Sequence, residues 1–231
     1  HALRKDADGT RSGRFSSSTP NLQQVPSDPL IRGLFLPDEG KQWAVCDYSQ
    51  QEPRVLVHYA DLLGLRGADE AVQQYTGDTD FHQMVADMAG IQRKQAKTIN
   101  LGMFYGMGIY KLATELGLST DQARPLFEQY HQRVPFVRQL AQKCSQSVAD
   151  KGFIKTLLGR KRHFNLWEPA DAFNTWPNRE QPLTREDAER VWPGRPLRRS
   201  MIHKSLNALI QGGAADMTKK AMVDLYKEGY T

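Results

Sequence analysis

The sequence predicts an α-rich α+β fold, and three observations carry that expectation. Beyond residue 50, stretch after stretch carries the three- and four-residue spacing of helices. Two apolar runs, 31–36 and 42–48, flank a Pro37-Asp38-Glu39-Gly40 turn, which is a hairpin-like pattern. The stretch 152–164, GFIKTLLGRKRHF, reads as a second short hairpin with a basic tip.

Taken in order, residues 1–30 are rich in Gly, Ser, Pro, Asn and Gln, and read as loops and short extended pieces. The run 42–48 ends in an acidic residue, and a helix over 52–63 follows, with Pro53 tolerable in its first turn. Further helices are expected at 68–75, 79–89, 92–104, 109–116, 120–132 and 136–151. Ser119 with Gln122 forms an S-x-x-Q capping box, and Gly117 closes the helix before it. Residues 165–198, rich in Pro, Trp and Arg, read as a long surface insertion. A final helix is expected over 198–227, interrupted or kinked near Gly212-Gly213.

The bulk numbers exclude several classes. A chain of 231 residues suffices for one large domain or two small ones. With 39% hydrophobic and 25% charged residues it reads as globular and soluble. No apolar run reaches the ~20 residues a membrane-spanning helix needs, and the polar, basic N-terminus is not a secretory signal. The net charge of +5 mildly favours a polyanionic partner. Cys46 and Cys144 lack zinc-type spacing and form no disulfide framework, so both read as small buried hydrophobes in a reducing cytoplasm. The chain starts at His1 and stops in a turn-like Gly229-Tyr230-Thr231, so both ends are expected to be cut through a larger protein.

Two stretches carry chemistry. In VCDYSQQEPRV (45–55), Asp47 stands at the end of an apolar run, where an unpaired carboxylate is costly unless a cation meets it. In RKQAKTINLGMFYG (93–106), Arg93, Lys97, Leu101 and Tyr105 recur every fourth residue and share one helix face. Cations at a helix N-terminus oppose the macrodipole but suit an anion. Read in order, that face offers cations for phosphates, an aliphatic floor for sugar and base, and a ring for stacking.

These stretches resemble the fingers helix and first palm motif of family A DNA polymerases, the bacterial DNA polymerase I type. SGRFSSSTPNLQQVP (12–26) and LNALIQGGAADMTKKAM (206–222) resemble two further motifs of that family, in the family's order. The resemblance implies template-dependent deoxynucleotidyl transfer to a primer 3′-hydroxyl, in DNA replication or repair, by a two-metal mechanism with Mg²⁺. It implies that Asp47 and the backbone carbonyl of Tyr48 hold metal. Arg93, Lys97 and His82 would grip the triphosphate, with Lys97 also a proton donor to the leaving pyrophosphate. Leu101, Gln50 and Glu52 would meet the nucleotide, Glu52 as the steric gate against ribose, and Tyr105 would stack at the template position. Arg14, Asn21, Gln23, Arg54, Asn207, Gln211 and His203 would contact primer–template DNA, largely through the minor groove, where acceptors look alike for every pair.

The architecture so implied is a partial palm with an antiparallel sheet and a helical fingers subdomain. Residues 1–60 would be the N-terminal palm part, 61–198 the fingers with the nucleotide helix 92–105 and the insertion, and 199–231 the return helix of the palm. The family's thumb and final palm hairpin, with its H-D-E motif and second aspartate, have no counterpart in the sequence, so the 231 residues alone are expected to be inactive. Leu101 departs from the family's usual Phe or Tyr, Gln51 and Pro53 from apolar residues, Leu209 from Pro, and His203 from Arg. The expected partners are primer–template DNA and deoxynucleoside triphosphates, with no membrane and an unknown processivity factor. The expected setting is the cytoplasm of a bacterial or phage-infected cell, in association with the nucleoid. Two rival readings remain: a single-subunit RNA polymerase, against which Glu52 and the QGGAAD helix argue, and a non-catalytic nucleic-acid-binding module.

Overall fold

The structure, a computed structural model, describes residues 10–77, 82–83, 86–87, 90–171 and 181–230. α1 (Pro29–Arg32) is a single turn whose cap, Asp28, accepts from the Leu30 amide at 2.8 Å. It is followed by α2 (Gln51–Leu62), α3 (Ala68–Thr76), α4 (Arg93–Phe104), α5 (Ile109–Leu116), α6 (Thr120–Arg133) and α7 (Pro135–Lys151). Each boundary falls within one residue of the sequence expectation, because local capping chemistry sets it. The Ser119 hydroxyl accepts from Gln122 N at 3.2 Å while the Gln122 side chain accepts from Ser119 N at 3.0 Å. Gly117, at φ +66°, turns the chain out of α5. The helix expected at 79–89 lies largely outside the described residues; His82, Gln83, Ala86 and Asp87 within it are helical.

The basic hairpin forms as expected. β1 (Phe153–Lys155) pairs antiparallel with β2 (Lys161–His163), placing Ile154 opposite Arg162. A second two-stranded antiparallel sheet joins β3 (Trp167–Pro169) to β4 (Leu197–Arg199), with α8 (Arg185–Val191) between them in sequence. The chain ends in α9 (Ser205–Lys227), which packs against α2, α7 and β1. Leu56 and Ala60 of α2, Phe104 of α4, Phe136 and Leu140 of α7 and Ile210 of α9 lie in one buried cluster. Burying each large apolar side chain there stabilises the fold by about 1.5–3 kcal/mol.

Five expectations are corrected. The 31–36 and 42–48 runs keep their turn, with Lys41 N bonded to Asp38 O at 3.0 Å and Gly40 at φ +76°, but they form no ladder. Part of the first run is taken into α1, and Leu34, Trp43 and Val45 stay exposed. Among the described residues the antiparallel palm sheet is therefore not formed; the two sheets seen lie elsewhere. Cys46, on the unpaired run, is exposed, whereas Cys144 on α7 is buried as expected.

The final helix starts at Ser205, not 198, because pairing with β3 holds 197–199 extended and Met201 takes a left-handed φ of 58°. It runs through Gly212-Gly213 without interruption. A Cβ on Gly212 would lie 2.6 Å from Arg160 Nη2 and 3.1 Å from Thr156 Cγ2, so this glycine serves close approach of the hairpin rather than a break. The insertion, of which residues 172–180 lie outside the described part, is mostly exposed or half-buried around a small packed centre. Glu168 is buried and takes Arg198 Nε at 3.2 Å and the Ser200 hydroxyl at 2.8 Å. The Trp167 ring lies beneath Arg199 at 4.6 Å and Arg185 at 5.1 Å.

Candidate functional site

The four-residue stripe forms one outward face of α4. Arg93 and Lys97 are exposed, and Leu101 and Tyr105 are half-buried. Ala96, Ile99, Met103 and Phe104 fill the opposite face, so the core fixes which way the stripe looks. Arg93 is the first helical residue, and the Gln95 side chain accepts from Gln92 N at 3.3 Å to cap the turn beneath it. At the other end Gly106 takes φ +79° and Met107 N bonds Gly102 O at 2.8 Å, which stops the helix just after Tyr105. The Tyr105 hydroxyl is buried without a hydrogen-bond partner among the described residues.

Behind the stripe lies a buried polar chain that the sequence reading did not foresee. The Tyr130 hydroxyl donates to Asn100 Oδ1 at 2.8 Å, and Asn100 Nδ2 meets His82 Nδ1 at 3.2 Å. His82, expected on a triphosphate, is 3% exposed and anchors α4 from behind. Asn100 on α4 was part of the recognised motif, yet its partner Tyr130 is thirty positions away, beyond any local pattern.

The start of α2 gathers a second group. Gln50 takes a left-handed φ of 51°, and its Oε1 is buried and unpartnered among the described residues. Glu52 is half-buried and ion-paired with Arg14, and burial pushes its carboxyl above the usual range. Gln51, which replaces an apolar residue of the family motif, reaches α9 instead, with its Nε2 donating to Ala214 O and Thr218 Oγ1, each at 3.2 Å. Arg54 donates to Ser49 O at 3.0 Å and Tyr75 O at 2.8 Å, tying α2 to α3. Its side chain is nonetheless exposed.

Arg14, Phe15, Gln23, Gln51, Thr218 and Lys219 line an open cleft of about 440 Å³ between the N-terminal segment and α9. Gln23 Nε2 donates to Phe15 O at 2.9 Å, and Asn21 caps the short turn Leu22–Gln24. Asn207 and Gln211 lie half-buried on α9, one turn apart, with Asn207 Oδ1 unpartnered. His203 is exposed on the 3₁₀ turn Ile202–Lys204 that precedes them. A basic groove of about 330 Å³ includes Arg11, Lys161, Arg162 and His163; burial and the nearby Arg11 lower the Arg162 pKa. The basic hairpin tip was the sequence signal for this groove.

Asp47 and Tyr48 are exposed on the segment leading into α2, and no hydrogen bond or ion pair joins them to the stripe among the described residues. Nor do three or more His, Cys, Asp or Glu side chains converge there. One carboxylate and one carbonyl fit part of the oxygen shell of a hard divalent ion, not all of it.

The model of DNA polymerase family A matches residues 5–231. A DNA-directed DNA polymerase of Pseudomonas phage M6 is 37% identical over 97% of this chain, which spans 37% of that protein. The thermostable DNA polymerase I of Thermus aquaticus is 34% identical over 94% of the chain and is spanned to 24% of its length. Among solved structures, the polymerase domain of Pol1 from M. smegmatis, in complex with DNA primer–template and dNTP, aligns with a TM-score of 0.68 at 28% identity. That alignment covers 95% of this chain and 36% of the other.

Proposed function

Since the chain belongs to DNA polymerase family A, we propose that it forms the nucleotide-selecting and primer–template-holding part of a DNA-directed DNA polymerase. The observation that carries this reading is the outward stripe of α4. Two exposed cations at its N-terminal end precede a half-buried aliphatic and a half-buried aromatic side chain.

On this reading Arg93 and Lys97 hold the triphosphate of an incoming deoxynucleotide, and Leu101 lies under its sugar and base. Tyr105 occupies the template side. The primer 3′-hydroxyl gives its proton to solvent and attacks the α-phosphorus, the bond to the bridging oxygen breaks, and Lys97 protonates the departing pyrophosphate. Asp47 and the Tyr48 carbonyl would hold Mg²⁺, which supplies charge neutralisation and acidifies the hydroxyl. Glu52 crowds the position of a ribose 2′-hydroxyl. Its pairing with Arg14 orients the half-buried side chain. Arg14, Gln23, Asn207 and Gln211 contact the primer–template, and the basic groove at the hairpin tip follows its phosphates. His82 acts from behind α4, holding Asn100 and through it the helix.

The test replaces the matching segment of the phage M6 polymerase with residues 5–231 and measures primer extension. Activity should fall by at least about 10³-fold on Asp47→Asn, the scale of losing charge stabilisation at the reacting phosphate. Glu52→Ala should raise ribonucleotide use relative to deoxyribonucleotide use. Extension unaffected by Asp47→Asn would overturn the reading in favour of a binding module, and ribonucleotide preference in the unmodified chimera would favour an RNA polymerase.

A further inference from the structure

An open cleft of about 460 Å³ lies between α5, α6 and α7, next to Tyr130 of the polar chain behind α4. Ile109 of α5, Arg138 of α7 and five residues of α6 line it: Arg124, Phe127, Glu128, His131 and Gln132. These five stand at helical spacings of three, four, seven and eight, so they form a single face. A face of α6 covered only by protein would be apolar. This one presents a guanidinium, a carboxylate, an imidazole and an amide beside Phe127, and α7 adds the guanidinium of Arg138.

Neither Arg124 nor Arg138 is ion-paired among the described residues, and both are exposed. His131 is half-buried, and its Nδ1 is buried without a hydrogen-bond partner among the described residues. Its ring stands edge-on to Phe127 at 4.6 Å, 75° between planes, and to Tyr130 at 5.6 Å. Burial and the Arg138 charge hold the imidazole below its usual pKa, so near neutral pH it can accept or donate one hydrogen bond without adding charge.

From this constellation we infer that the cleft is a second, non-catalytic site for one nucleotide unit, a phosphate attached to a base. The volume lies in the range of small-ligand sites. Arg124 and Arg138 supply the phosphate contact, and Ile109 and Phe127 form an apolar wall for the base. Glu128 disfavours a bare polyanion but can accept from an exocyclic amine or a sugar hydroxyl, and His131 Nδ1 offers one more polar contact. Tyr130, against which His131 packs, leads through Asn100 to α4. An occupant would therefore rest on the same framework that holds the nucleotide stripe. The inference rests on the polymerase reading only in preferring a nucleotide to other aromatic anions.

The test follows the His131 ring protons of the 231-residue chain by NMR while dAMP, inorganic phosphate or a single-stranded oligodeoxyadenylate is added. A saturable shift with dAMP or the oligonucleotide, absent with phosphate alone, is expected. In the double variant Arg124→Gln/Arg138→Gln, whose changes are confined to exposed side chains, affinity should weaken by about tenfold or more. His131→Phe should weaken binding less, because it keeps the ring and removes one polar contact. Response to the oligonucleotide alone assigns the cleft to an unpaired strand, and response to dAMP alone assigns it to free nucleotide. No response to either, or equal affinity in the double variant, overturns the proposal. A chimera inactive in primer extension would leave a His131 response intact, so the two readings fail separately.

Discussion

Arg160 is held between two glycines, and that single side chain decides what can be changed around it. Its Nε donates to Asp216 at 2.7 Å, and Thr156 donates to the other carboxylate oxygen at 2.7 Å. A Cβ on Gly13, which also has φ +83°, would lie 2.8 Å from the Arg160 Cζ, and one on Gly212 would lie 2.6 Å from Nη2. Replacing a mid-helix Gly by Ala ordinarily gains about 1 kcal/mol of helix propensity. Overpacking a fixed neighbour costs about 1–3 kcal/mol. Asp216 pins the guanidinium, so Gly212→Ala is expected to be net destabilising. Gly213→Ala meets Val55 Cγ1 at 3.3 Å and two Tyr59 atoms at an ordinary 3.8 Å, and should be neutral or slightly stabilising. Urea denaturation of the two variants checks the contrast; equal stabilisation by both would show that Arg160 is free to move aside.

At the scale of elements, α4 is positioned from behind by hydrogen bonds as well as by apolar packing. Tyr130 is fully buried, its hydroxyl pKa is pushed well above the usual value by burial, and it acts as donor to Asn100. Tyr130→Phe leaves the Asn100 carbonyl oxygen without that donor and should cost about 1–3 kcal/mol in thermal or chemical unfolding. A change under about half a kcal/mol would mean that Asn100 finds another partner. Elements such as α4, α5 and α6 were legible in the sequence because their signals are local: periodic apolar residues, a capping box, a glycine stop. The 31–48 hairpin was not, because β-structure depends on pairing and cover, which no local pattern guarantees. The start of α9 was misread for the same reason. Pairing across to Trp167–Pro169 outweighs the helical character of 198–204.

Over the whole molecule, the sequence identified the stripe on α4 and the α2 and α9 motifs because each is contiguous. It did not reveal that Arg14 meets Glu52, that Gln51 bonds α9, or that His82 lies behind α4 rather than on its outward face. Those relations join residues far apart in sequence. The insertion likewise reads as polar and irregular, yet a buried carboxylate organises it. Charge is also distributed with purpose. Arg14 and Lys219 border one cleft, and Arg11, Lys161 and Arg162 border a groove without a carboxylate among its lining residues. Binding of a labelled primer–template should therefore weaken steeply with salt, with a log–log slope that becomes shallower by about one for each phosphate-contacting cation removed. A slope unchanged by Lys161→Ala and Arg162→Ala would place the DNA elsewhere.

The two cysteines give this chain an unplanned experimental handle. Burial pushes the Cys144 thiol up to about 12, so at neutral pH it is a closed, protonated group. Cys46 is exposed and immediately precedes Asp47. A thiol-directed fluorophore should thus attach at one position per molecule, beside the carboxylate assigned to metal. Nature has supplied a native attachment point for a reporter next to Asp47.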